Sequence, residues 1–215
     1  PAEQERQAHA ILAEADGLGV RDVEAYPAEL LVQLRQRYPD RIFAVHAAES
    51  AAAQAESLAA TGRTQVARVL DWQPDLLIHL VHATPDDLAA LAAAGVYGVT
   101  CPRSNGILGV GFPDLARWRW IGVRFALGTD NVMFVAPDML REMDFASRLG
   151  RGLAQDPTAI DHHAILRAAT IEGARALKLD DRIGSLAPGK EASFLVFDLE
   201  RPHLRYQHDP VSAIV

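Results

Sequence analysis

The sequence predicts an α/β fold with a parallel sheet, on three observations. Short apolar runs alternate with amphipathic stretches, the pattern of repeated βα units. Three of those segments deliver a potential metal ligand where the run ends: His46 after Ala44-Val45, His79 after Leu77-Ile78, and Asp130 after Ala126-Leu127-Gly128-Thr129. Parallel α/β folds build their sites where strands end, so that placement bears on function as well as architecture. The 215 residues, 49% of them hydrophobic, suffice to bury a substantial core in one domain, with or without a small appendage.

Taken in order, Arg41 to His46 reads as a strand, and the Ala-rich stretch from Ser50 to Trp72 as a helix interrupted near Thr61-Gly62. Asp75 to about His79 is the next strand. Thr84 caps a helix that begins at Pro85, carries Asp86 and Asp87 in its first turn, and stops at Gly95. Val96 to Thr100 supplies a third strand, 101–111 a glycine- and proline-bearing loop, Pro113 to Ile121 a short helix, and Val123 to Gly128 a fourth strand. Helical spacing recurs over Pro137 to Leu149 and over Thr158 to Leu179. After Ala187-Pro188-Gly189-Lys190 the character changes to a β run, Ala192 to Phe197, with no helix behind it.

Composition narrows the function. The formal charge of −7 and the absence of a Lys/Arg stripe argue against nucleic acid and favour a small-molecule substrate. A single cysteine, Cys101, excludes a disulfide framework and points to a reducing, cytoplasmic setting. No apolar run approaches the roughly 20 residues that cross a bilayer, so no membrane partner is expected. A homo-oligomer is left open.

At the strand ends the residue types suit hydrolysis at a divalent ion, which needs His/Asp ligands, an open position for water and a carboxylate that carries a proton. His46 and Asp130 serve as ligands. Glu49, three residues beyond His46, is placed to move a proton, and His79 to bind water, substrate or metal. In His79-Leu-Val-His82 only one imidazole should reach the site, because a residue three along a continuing strand points the other way; His79 is preferred. Arg103 and Asn105 follow a strand and can hold an acidic or amide group of the substrate. Cys101 is a poor nucleophile candidate without an activating base, and Trp118 and Trp120 read as packing. His162 and His163 fall within a helix, and His203 and His208 in the polar tail, where an incidental role is expected.

Together these segments resemble the amidohydrolase superfamily, in its cytosine deaminase-like, adenosylhomocysteine deaminase-like and chlorohydrolase-like branch. The resemblance rests on His46-Ala-Ala-Glu49, His79-Leu-Val-His82 with its helix to Gly95, Cys101-Pro-Arg-Ser-Asn105, Gly128-Thr-Asp130-Asn131 and the stretch from Gly184 to Ala192. It implies the C-terminal part of a (β/α)8 TIM-type barrel with a fragment of a small β-sandwich, and one divalent ion, zinc first and iron as the alternative. It makes His46 a fifth-strand metal ligand, Glu49 the proton shuttle, His79 the sixth-strand histidine and Asp130 the eighth-strand ligand and base, with His79, His82, Arg103 and Asn105 toward the substrate.

The family's His-x-His pair has no counterpart among the eight histidines here. Residues 1–180 are therefore expected to be about strands 4 to 8, the first of them near Asp16-Gly17-Leu18-Gly19, and 181–215 part of the sandwich, ending within a strand. Such a chain is expected to be a piece of a larger enzyme and not to hold zinc tightly by itself. The implied function is hydrolytic deamination or C–N hydrolysis of a small heterocyclic or amidine-type substrate by metal-activated water. The alternatives are a catalytically silent partial barrel that binds or is completed by another chain and, more weakly, a cysteine hydrolase using Cys101.

Overall fold

The computed structural model describes residues 2–202, 204–205 and 208–215. Its strands are β1 (Gly17–Val20), β2 (Ile42–Ala47), β3 (Leu76–His79), β4 (Tyr97–Thr100) and β5 (Phe125–Leu127). They lie side by side in chain order, and every neighbouring pair is parallel. A doubly wound sheet reverses strand order partway; an unbroken order with one-sided crossovers is the winding of a barrel.

The pleat sorts side chains between two faces. Leu18 and Val20 of β1, Phe43, Val45 and Ala47 of β2, Leu77 of β3 and Phe125 and Leu127 of β5 join one large core. Leu30, Leu31 and Leu34 of α2 (Ala28–Arg37), Val66 and Val69 of α4 (Gln65–Leu70), Leu88 and Leu91 of α5 (Pro85–Ala94) and Leu115 and Trp118 of α7 (Leu115–Ile121) pack into that same core. The other face carries a small cluster of Leu76, Tyr97 and Ala126 with Ile42, Ala44 and Val99 beside it, and His46 continues the Ile42, Ala44 row. So the helices named above pack on one face of the sheet, while the row that leads to His46 lies on the other, whose small cluster also takes in Ala176.

Helix boundaries follow local chemistry. The stretch expected as one interrupted helix is two, α3 (Ala51–Thr61) and α4, because Gly62 turns left-handed at φ 69° and Thr64 accepts from the Ala67 amide to start the second. Thr84 and Asp87 form a reciprocal capping box at the start of α5, which Gly95 ends at φ 69°. The segment 101–111, expected as loop, holds α6 (Pro102–Leu108), opened by Pro102 and closed by Gly109 in the left-handed region. The helix expected over 137–149 runs as α8 (Met139–Ala154). That expected over 158–179 is broken into α9 (His162–Ala168) and α10 (Ile171–Ala176), since Thr170 leaves helical geometry at φ −129°, ψ −97°. At the N-terminal end, α1 (Ala2–Glu14) was not anticipated.

Beyond Gly184 the described residues contain no strand. Ala192 to Phe197 lacks a ladder, and Leu195 and Val196 stand 75% and 83% exposed: β propensity does not make a strand without a neighbour to hydrogen-bond. The chain ends in α11 (Pro210–Ile214) rather than in a strand, because Asp209 accepts from the Val211 and Ser212 amides and Pro210 occupies the first turn. Among the described residues no helix is long and apolar enough to cross a membrane.

Candidate active site

In a parallel sheet all C-terminal strand ends share one rim, and the sequence places ionisable residues along it. His46 is the penultimate residue of β2, His79 the last of β3, and Asp130 follows the end of β5 by three residues. Register pairs Ala47 with His79 and His46 with Ile78, so a regular pleat would send the two imidazoles to opposite faces. The backbone reverses this. His79 and Leu80 adopt φ of 73° and 52°, the strand ends there, and the His79 ring meets His46 edge to face at a centroid distance of 4.9 Å. Positive φ at non-glycine residues is costly and gathers where function fixes it; Ala48 (φ 53°) and Asp130 (φ 60°) share the same rim.

Glu49 is brought back by the Ala48 turn. That turn is held from three sides: the Ala48 amide donates to the buried Gln65 Oε1 at 2.8 Å, the Leu80 amide donates to Ala47 O, and the His82 amide to Ala48 O. The Glu49 carboxylate then lies 3.7 Å from His79 Nε2. His46, Glu49 and His79 each offer one ligand atom, and these atoms fall within 4.8 Å of one another. Burial, and then the neighbouring His79, lower the pKa of His46 against the opposing pull of Glu49 and Asp130, which keeps its imidazole neutral as metal ligation requires. Two imidazole nitrogens and a carboxylate form the donor set of a catalytic zinc site, so these residues fit a borderline divalent ion.

Asp130 is near this group but not part of it. Its Oδ2 accepts from Ser104 Oγ at 2.5 Å and its Oδ1 from the Asn131 amide at 2.7 Å. Asn105, expected toward substrate, is fully buried, with Oδ1 2.9 Å from His79 Nδ1. The Nε2 of His82 is engaged by the Val110 carbonyl at 2.7 Å, so this imidazole ties down the loop after α6. The Arg103 guanidinium lies against Ala136 O and Glu142 of α8. Cys101 is buried, and burial, then the charges of Asp130 and Glu142, push its thiol up to about 12, which removes it as a nucleophile. His162 bonds Ser212 and His163 approaches Asp209, both remote from the rim, and His203 lies outside the described residues.

Ser104, Gln65 and Glu142 were missed in the sequence. Ser104 stood inside a quoted motif; Gln65 and Glu142 carry no sequence signal, since a Gln or Glu on a helix reads as solvated face until packing buries it.

Against known proteins, the model of the amidohydrolase family matches residues 6–215. A 5-methylthioadenosine/S-adenosylhomocysteine deaminase of Teredinibacter turnerae is 39% identical over 139 residues, 64% of this chain and 31% of that protein. The enzyme of the same name from Moorella thermoacetica is 36% identical over 177 residues, 80% of this chain and 41% of its own. Among solved structures, an adenosine deaminase from Xanthomonas campestris with bound zinc superimposes with a TM-score of 0.87 at 28% identity, over 99% of this chain and 51% of its own. The chain thus spans less than half the length of these two curated relatives and about half of the solved one. The superposition identifies the five-stranded sheet as part of a (β/α)8 barrel.

Proposed function

The chain belongs to the amidohydrolase family, and we propose that the protein hydrolyses the exocyclic C–N bond of an amino-heterocycle, with an adenosine-type nucleoside as substrate and one zinc ion at the rim. The observation that carries this is the convergence of His46, Glu49 and His79 on one point at the C-terminal strand ends. The matched relatives named as deaminases of adenosine derivatives support the substrate class.

When bound, a divalent ion held through His46 supplies Lewis acidity and a nucleophile usable at neutral pH. The chain's own residues handle the protons. Deamination adds water across the ring C=N bond and then breaks the exocyclic C–N bond, so both protons of the water leave the attacking oxygen, one for the ring nitrogen and one for the amine that departs as ammonia. Glu49 is half-buried at the rim with its carboxylate 3.7 Å from His79 Nε2, the arrangement of a carboxylate that accepts a proton on one side and delivers it on the other. Asp130, pinned by Ser104, is the fixed carboxylate that takes a proton from the attacking oxygen. His79, immobilised by Asn105, orients the attacking group with Nε2.

The test is ammonia release from adenosine, 5-methylthioadenosine and S-adenosylhomocysteine by the full-length, zinc-loaded protein. Turnover of at least one is expected; none, with metal stoichiometric, would sink the proposal.

A further inference from the structure

Two consecutive residues of α6 each hold one ionisable group of the rim. Ser104 and Asn105 are both 0% exposed. Ser104 Oγ reaches Asp130 after β5, and Asn105 Oδ1 reaches His79 at the end of β3, so a single segment bridges strands that are not neighbours in the sheet. That segment is itself fixed from behind. Glu142 of α8, also 0% exposed, accepts from the Arg103 amide at 3.3 Å and lies 3.5 Å from the Arg103 guanidinium.

We propose that Ser104 and Asn105 are the positioning pair of this centre: Asn105 locks His79 in the tautomer with its proton on Nδ1 and its lone pair on Nε2, and Ser104 locks the Asp130 carboxylate. The proposal takes the location of the centre from the function proposed above and adds how its geometry is set. A neutral imidazole has one N–H, and an amide oxygen only accepts, so the Oδ1 contact places the proton on Nδ1. Nε2 is then a bare lone pair 3.7 Å from the Glu49 oxygen. The reversed Asn105 amide would set its NH2 on Nδ1, move the neutral ring's proton to Nε2 and aim it at Glu49. The orientation of one buried amide therefore decides whether the neutral His79 ring presents a lone pair or an N–H to the rim.

Both halves are testable on the full-length protein without relying on turnover. With 15N-histidine labelling, the ring-nitrogen shifts of His79, assigned against His79→Gln, should report Nδ1–H as purified and after chelation. Asn105→Asp, which keeps an acceptor, should preserve that tautomer, and Asn105→Leu should abolish the preference. Ser104→Ala should weaken zinc binding by about tenfold or more, the usual size of an outer-shell loss, and Ser104→Thr should recover it. In kinetics, Asn105→Leu and Ser104→Ala should lower kcat with KM nearly unchanged, since neither side chain meets substrate. An Nε2–H signal in the unaltered protein, unchanged zinc affinity in Ser104→Ala, or a loss confined to KM would overturn the proposal. The two ideas fail separately: a protein that shows the tautomer yet hydrolyses no nucleoside ends the functional proposal alone, and an active protein with Nε2–H ends this one alone. Should Asn105→Leu not fold, the spectrum of the unaltered protein still decides.

Discussion

His46 and His79 meet edge to face, their ring planes at 87° and their centroids 4.9 Å apart. Burial first, and then the closeness of the two rings, holds the pKa of His46 below its ordinary 6.5. Neutral imidazole is the metal-binding form. His46→Ala in the full-length protein should therefore cost more in zinc affinity than the roughly 10–100-fold typical of an outer-shell change. Competition against a chelator measures it, and an affinity within tenfold of the unaltered protein would remove His46 from the metal site.

Glu49 separates proton transfer from metal binding. Its carboxylate approaches His79 Nε2 at 3.7 Å, whereas Asp130 is fixed by hydrogen bonds from Ser104 and the Asn131 amide. Glu49→Gln keeps the shape and removes the titrating oxygen, so kcat should fall about 10²–10⁴-fold while zinc stays bound. If zinc is lost along with activity, Glu49 is a ligand rather than a shuttle.

Much of this site was legible because strand ends advertise themselves: an apolar run followed by His46, His79 or Asp130 needs only the winding rule to put all three on one rim. The pleat says only that one of His79 and His82 can reach the site, and taken alone it would have turned His79 away from His46; the left-handed φ at 79 and 80 is a tertiary choice with no sequence mark. Arg103 and Asn105 were expected on the substrate side because they follow a strand, but folding 102–108 into α6 turns Asn105 inward to His79 and Arg103 back to Glu142. Pro102 and Gly109 bracketed that helix in plain sight. The run from Ala192 to Phe197 shows the opposite limit, since a strand depends on a partner that its own residues cannot specify.

At the opposite rim Asp75 joins three elements. It accepts from the Phe43 amide at 2.8 Å, pairs with the Arg35 guanidinium, and lies 2.9 Å from Lys178 Nζ, while Arg35 stacks over Phe43. Burial alone would raise its pKa; the Phe43 amide, Arg35 and Lys178 outweigh burial and hold it below 3.8. A depressed folded-state value stabilises fully above the unfolded pKa, and that contribution is lost as pH falls through the folded one. Asp75→Asn should cost about 2–3 kcal/mol near neutrality and flatten the acid limb of stability in denaturant titrations. An acid limb identical to that of the unaltered protein would contradict this.

Cys101 should be chemically silent. It is 3% exposed, and its thiol is held at about 12 by burial and by the negative charges of Asp130 and Glu142. Only the thiolate attacks. Iodoacetamide at neutral pH should leave Cys101 unmodified in the folded protein and leave activity intact, whereas chelators abolish it. Modification at a rate like that in denaturant, read by mass spectrometry, would reopen the cysteine alternative.

Gly98 on β4 is a point where a helix presses directly on the sheet. A Cβ there would sit 2.7 Å from Cζ3 of Trp118, which is 1% exposed and wedged edge-on against Phe125 at 6.2 Å. The indole cannot yield toward solvent, so Gly98→Ala forces either α7 or the strand to shift. The expected loss is about 1–3 kcal/mol. Trp118→Phe removes the atom that clashes while leaving an aromatic ring, so the double variant should be less destabilised than the sum of the two single changes. Thermal unfolding of all three decides it: strict additivity would mean that Gly98 is not required by Trp118.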